Sequence, residues 1–160
     1  MSFRIFVTLS FLAMFVACGT TSDTQGSFSA EEQDMQTQAW QQMMDGSDRI
    51  MQRLPELAAT TETLQTLAQE AAVEANNYHP RAMEAITDLK NTERRLTEWL
   101  TQISEQKLDV LQKRYDHAGV LSFIDQEISS LEAIEEALQE NLSKARQLIE
   151  ERKPGGLKIE

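Results

Sequence analysis

In LSFIDQEISSLEAIEEALQENLSKARQLI, residues 121–149, the apolar side chains stand at Leu121, Ile124, Ile128, Leu131, Leu138, Leu142, Ala145 and Ile149. The steps are threes and fours, and only Glu135 interrupts them, with Ile134 beside it. That period places the stripe on one face of an α-helix. The helix is expected over residues 120–152 and stops at Lys153-Pro-Gly-Gly156, which leaves 153–160 as a loose tail. A lone helix of this kind is marginal in water, so the stripe needs partners.

Partners are found upstream. Ile50, Leu54, Leu57, Thr61, Leu64, Ala68 and Ala71 alternate steps of four and three, a heptad seam. This first helix is expected to begin at Ser29, because Ser29-Ala-Glu-Glu32 is a capping-box pattern. The seam runs through Pro55, which predicts a kink there; Asp45-Gly46-Ser47 is the alternative place for a true break. Asn76-Asn77-Tyr78-His79-Pro80 marks the next boundary, with the asparagines ending one helix and the proline opening another. The second helix, about 80–117, carries Met83, Ile86, Leu89, Leu96, Leu100, Ile103, Val110, Leu111 and Tyr115, with Trp99 packed mid-bundle; His117-Ala-Gly119 ends it.

Short connections make consecutive helices antiparallel. The expected fold is therefore all-α, an elongated antiparallel three-helix bundle of coiled-coil-like hairpins over residues 29–152, with helices near 29–77, 80–117 and 120–152. At ~1.5 Å per residue the second helix alone spans about 57 Å.

The chain carries 15 Lys and Arg against 26 Asp and Glu, a formal charge of −11. Such acidity argues against nucleic acid, whose binding rests on neutralising phosphates. The first and third helices are acidic and the second is balanced. Asp109/Lys113 and Glu140/Lys144 are spaced four apart with the acid first, the favourable order for a helix-surface pair.

Catalytic and metal-binding patterns are sparse. His79 and His117 lie at opposite ends of the expected second helix, about 57 Å apart, too far to share an ion or a proton. Both read as helix-end residues. The sequence has no His-Glu-x-x-His, Gly-x-Ser-x-Gly or phosphate-loop pattern. Acidic runs such as Glu135/Glu136 diverge around a helix and read as a solvated face. Neither a catalytic residue nor a cofactor is expected. Met35, Trp40, Met43, Met44 and Met51 remain as candidates for partner binding, since thioethers and indole make an adaptable apolar surface. Core packing accounts for the same spacing, and Cu(I) ligation needs convergence and more sulfur.

The N-terminus reads MSFRIFVTLSFLAMFVACG. Its apolar run from Ile5 to Ala17 covers roughly 20 Å, short of the ~30 Å hydrocarbon core and suited to a signal peptide over 1–17. Phe15-Val16-Ala17-Cys18 resembles the lipobox of bacterial lipoproteins, with Phe15 where leucine is usual. The resemblance implies cleavage after Ala17, a diacylglycerol thioether on Cys18 and acylation of the new amino terminus. Several acyl chains anchor stably where one binds only marginally. Cys18 is the chain's one cysteine, so it has no disulfide partner within the monomer. Gly19, where an aspartate would imply inner-membrane retention, implies the outer membrane, and the absence of an acidic cluster after Cys18 favours the periplasmic side. Residues 18–28 read as a flexible tether.

Loss of the leader removes Arg4 and leaves 14 bases against 26 acids, a charge of −12. An anionic membrane face repels such a body, so the lipid must hold it. AWQQMMDGSDRIMQRLPELAATTETL, ITDLKNTERRLTEWLTQ and the terminal helix together resemble small helical lipoproteins of Gram-negative bacteria, some named "viral A-type inclusion protein". That resemblance implies the architecture and adds no chemistry. The expected function is a lipid-anchored envelope protein with a structural or interaction role, through a protein partner or self-association. The alternative is a periplasmic ligand-binding or chaperone-like protein with an apolar groove along the Met-rich first helix.

Overall fold

The computed structural model describes residues 28–74 and 76–152. The leader, Cys18, nearly all of the tether and the 153–160 tail lie outside them. The described chain is built from α1 (Ala30–Met51), α2 (Leu54–Ala71), α3 (Tyr78–Ser104), α4 (Leu108–Arg114) and α5 (His117–Glu151), with no strand among the described residues. These make three legs. α1 and α2 form the first, α3 and α4 the second, and α5 the third.

Cross-leg contacts fix the directions. Gln36 meets His117 at one end and Glu74 meets Arg152 at the other, so the first leg runs parallel to α5. Trp99 meets Glu127, Thr92 meets Asn141 and Arg81 meets Glu151, so α3 runs antiparallel to it. The expected antiparallel three-leg bundle is the observed architecture. α2, α3 and α5 pack mutually, while α1 packs chiefly on α5 with α4 alongside.

Local chemistry explains most of the boundaries. Ser29 caps α1 reciprocally: its Oγ accepts from the Glu32 N–H at 3.2 Å, and its own N–H donates to Glu32 Oε2 at 2.8 Å. Phe28, assigned to the tether by the sequence, instead packs partly buried against the core. α1 runs unbroken through Asp45-Gly46-Ser47, because Gly46 and Ser47 are buried on its inner face. A Cβ added to Gly46 would meet Leu131 Cδ1 at 3.6 Å.

Pro55 does more than kink the first leg. It has no N–H for the Met51 carbonyl, and α1 closes at Met51 with Arg53 N–H bonding back to the Ile50 carbonyl at 3.0 Å. α2 then starts at Leu54, with the proline in its first turn, where a donor is not needed. The seam survives the break: Ile50, Leu57, Thr61, Leu64, Ala68 and Ala71 are buried.

The second leg departs further from expectation. α3 stops at Ser104, and Lys107 is extended at φ −133° and ψ 145° before α4 begins. An unbroken helix would have turned Gln106, Val110 and Lys113 inward; after the break Leu111 is buried and Leu108 partly so. His117 opens α5 rather than closing the second helix. Asp116 is the N-cap, its Oδ1 accepting from the Gly119 N–H at 2.8 Å. Any Cβ at position 119 would come within 3.0 Å of Tyr115 Cβ, which is why glycine fits under this cap. Met83 and Tyr115, read as core positions, are exposed at 45% and 47%.

Candidate functional site

Cys18, the lipidation candidate, falls outside the described residues. The five Met-rich candidates are placed, and they separate. Met43 is fully buried in the core between α1 and α5. Trp40 and Met44 pack partly buried against that core, Met51 is half-buried, and Met35 is 42% exposed. At about 100° per residue, Trp40, Met44 and Met51 share one edge of α1 and Met35 lies toward the other. The set is therefore one core residue, one half-covered edge and one outlier.

The structure instead shows polar stations inside the bundle. Gln36, with no exposed surface, bridges three helices: its Nε2 lies 3.1 Å from His117 Nδ1, and its Oε1 accepts from Gln112 Nε2 at 2.7 Å. If Oε1 accepts, Nε2 donates, so His117 Nδ1 is the acceptor and its proton sits on Nε2. Asn141 Nδ2 donates to Thr92 Oγ1 at 3.0 Å. His79 contacts the Ala68 carbonyl at 2.7 Å, tying α3 to the end of α2. The two histidines stay at opposite ends of the bundle.

At the far end, Arg152 closes the bundle with two bonds to Glu74, at 2.7 and 2.8 Å, and lies over the Tyr78 ring at 5.1 Å. Arg81 makes the same two-pronged contact with Glu151 at 2.9 Å. The Arg152 guanidinium holds the Glu74 carboxyl below its ordinary value, with Asn76 adding a second hydrogen bond. Burial pushes the Tyr78 phenol up, and its hydroxyl has no hydrogen-bond partner among the described residues.

The station with most chemical character joins α3 to α5. Glu127 is 7% exposed, and its Oε2 accepts from the Trp99 indole N–H at 2.7 Å. Its Oε1 accepts from Gln102 Nε2 at 3.3 Å. Above it runs an open furrow of about 790 Å³. Sequence reading placed Trp99 in the core but had no signal for Glu127, since a glutamate beside Ile128 reads as solvated.

Among the described residues no group of three His, Cys, Asp or Glu side chains converges as a metal site, and no helix is long and apolar enough to cross a membrane. The class defined here is an elongated three-leg helical bundle with polar crosslinks between its legs. No family model, curated protein or solved structure matches the chain.

Proposed function

We propose that this chain is a lipid-anchored protein of the bacterial cell envelope whose bundle serves as a structural or protein-interaction module. The observation that carries the reading is Cys18, set after Phe15-Val16-Ala17 at the end of a signal-length apolar run. Acyl chains on Cys18 supply the membrane affinity that a body of charge −12 lacks. The outer membrane, with the bundle on its periplasmic side, is the location that Gly19 favours.

The body suits such a role. Its apolar residues form one continuous core along all three legs, and two-pronged arginine contacts fasten the end away from Ser29. An elongated object of this kind can span distance or present a side to a partner. Its polar stations join neighbouring helices, three of them at Gln36 and two at Glu127.

Fractionation of cells expressing wild type and Cys18→Ser tests the reading. The wild type is expected in the membrane fraction with incorporated palmitate. The variant is expected to be unlabelled and either soluble in the periplasm or retained with its leader. An unlabelled, soluble wild type would replace the proposal with an ordinary secreted bundle.

A further inference from the structure

The furrow between α3 and α5 is bordered by a carboxylate that no cation of the described bundle meets. Glu127 is more than nine-tenths buried, and both of its oxygens serve only neutral donors, the Trp99 indole and the Gln102 amide. Among the described residues no lysine or arginine pairs with it. A carboxylate has about four acceptor positions, of which two are taken here, and the furrow lies open against the group. By contrast, Glu74 and Glu151 are each gripped by an arginine at the end of the bundle.

We propose that the furrow is a docking site for a partner helix that delivers a lysine or arginine side chain to Glu127. Phe123, Ala133 and Ile134 supply apolar wall for the aliphatic stem, and Trp99 stands beside the charge. From Phe123 to Ile134 the furrow follows α5 for roughly 17 Å, about three helical turns. Its openness argues for a side chain carried on a macromolecule, because small-ligand sites enclose most of their ligand. The lining carries two carboxylates, Glu98 and Glu127, against one guanidinium, Arg95, and the whole chain is acidic, so the charge is complementary at both scales. This is not the surface suggested by the methionines of α1, and it does not depend on how the protein is anchored.

The test reads Trp99 fluorescence in a Trp40→Phe background, which leaves one of the chain's two tryptophans. The probes are an alanine-rich helical peptide of about 14 residues, roughly 20 Å long, with one central lysine, its norleucine counterpart, and butylammonium chloride at matched ionic strength. The lysine peptide is expected to give a saturable change. The norleucine peptide and butylammonium are expected to need at least tenfold higher concentration. Glu127→Gln, nearly isosteric and still able to accept from the indole, is expected to weaken the lysine peptide at least tenfold with helicity unchanged.

Ser130→Lys places a cation three residues from Glu127 on the same helix and is expected to abolish the response by occupying the carboxylate from within. Equal binding of the norleucine peptide, a response that survives both variants, or butylammonium binding as tightly as the peptide would each overturn the proposal.

Discussion

Gly46 of α1 lies directly against Leu131 of α5, so that a methyl group added to the glycine would rest 3.6 Å from Leu131 Cδ1 and from Arg49 Nη2. Those are ordinary van der Waals distances. The site has room for alanine, and the helix interior gains about 1 kcal/mol when glycine becomes alanine. Gly46→Ala is therefore expected to stabilise the bundle and raise its Tm by a few degrees. Gly46→Leu is expected to lower it by overpacking. Thermal unfolding followed by circular dichroism decides the matter, and a destabilised alanine variant would mean that α1 and α5 approach more closely than described.

Leu131 is also the centre of the third-leg stripe, 3% exposed, while its neighbour Glu132 is exposed. Leu131→Asp buries an unpaired charge and is expected to cost several kcal/mol. Glu132→Lys is expected to stay within about 0.5 kcal/mol of wild type. Denaturant titrations of the two variants measure the contrast. Similar losses would place the seam elsewhere on α5.

Much of this arrangement was legible from spacing alone. The Ile50-to-Ala71 seam, the capping box at Ser29, and the pairs Asp109/Lys113 and Glu140/Lys144 all stand as the sequence suggests. The third-leg stripe was legible with a small rotation. Glu127, Ile134 and Leu148 point inward, whereas Ile128 and Ile149 sit at its edge. Apolar periodicity marks a face to within a residue, and a buried carboxylate held by an indole carries no periodic signal.

The break at Glu105–Lys107 was hidden for a different reason. It contains neither glycine nor proline, and it exists because Leu108 and Leu111 reach the α1–α5 interface only after a change of phase. At Pro55 the proline was visible, but whether it bends or ends the helix depends on how the flanking turns pack. His117-Ala-Gly119 was legible as a boundary, but not that Asp116 caps the helix that follows it.

Gln36 joins α1, α4 and α5 from a position with no solvent contact. Gln36→Leu removes the shared partner of Gln112 Nε2 and His117 Nδ1, both partly exposed, so water offsets part of the ~1–3 kcal/mol that a fully buried orphan would cost. A loss of about 1 kcal/mol is expected, with α4 becoming more exchangeable than α3 in amide hydrogen exchange. Nitrogen NMR of the wild-type imidazole should find the His117 proton on Nε2; a proton on Nδ1 would reverse the assigned direction of both amide bonds.

Acid should weaken carboxylate contacts at both ends of the bundle, at Ser29 and Arg152, and one within α5, at Lys144. The Glu74 carboxyl is lowered from 4.5 by Arg152, that of Glu32 by the Ser29 backbone and hydroxyl, and that of Glu140 by Lys144. A carboxyl lowered in the folded state contributes stability above its unfolded value of about 4.3, and the contribution disappears as pH falls through the folded value. All three sites are exposed to solvent, so salt should weaken the effect. Stability is expected to be flat with respect to these groups from pH 7 to about 5 and to fall below 4.5. Glu74→Gln should flatten part of that fall; an unchanged acid limb would show that Arg152 does not engage Glu74 in solution.

Lipidation of Cys18 is decided by intact-mass and N-terminal peptide spectrometry of protein extracted from bacterial membranes. The expected product is a chain that begins at Cys18, with no free thiol, a diacylglyceryl group on sulfur and a further acyl group on the amino nitrogen. A mature chain that begins at another residue, or one that carries an unmodified Cys18 thiol, would contradict it.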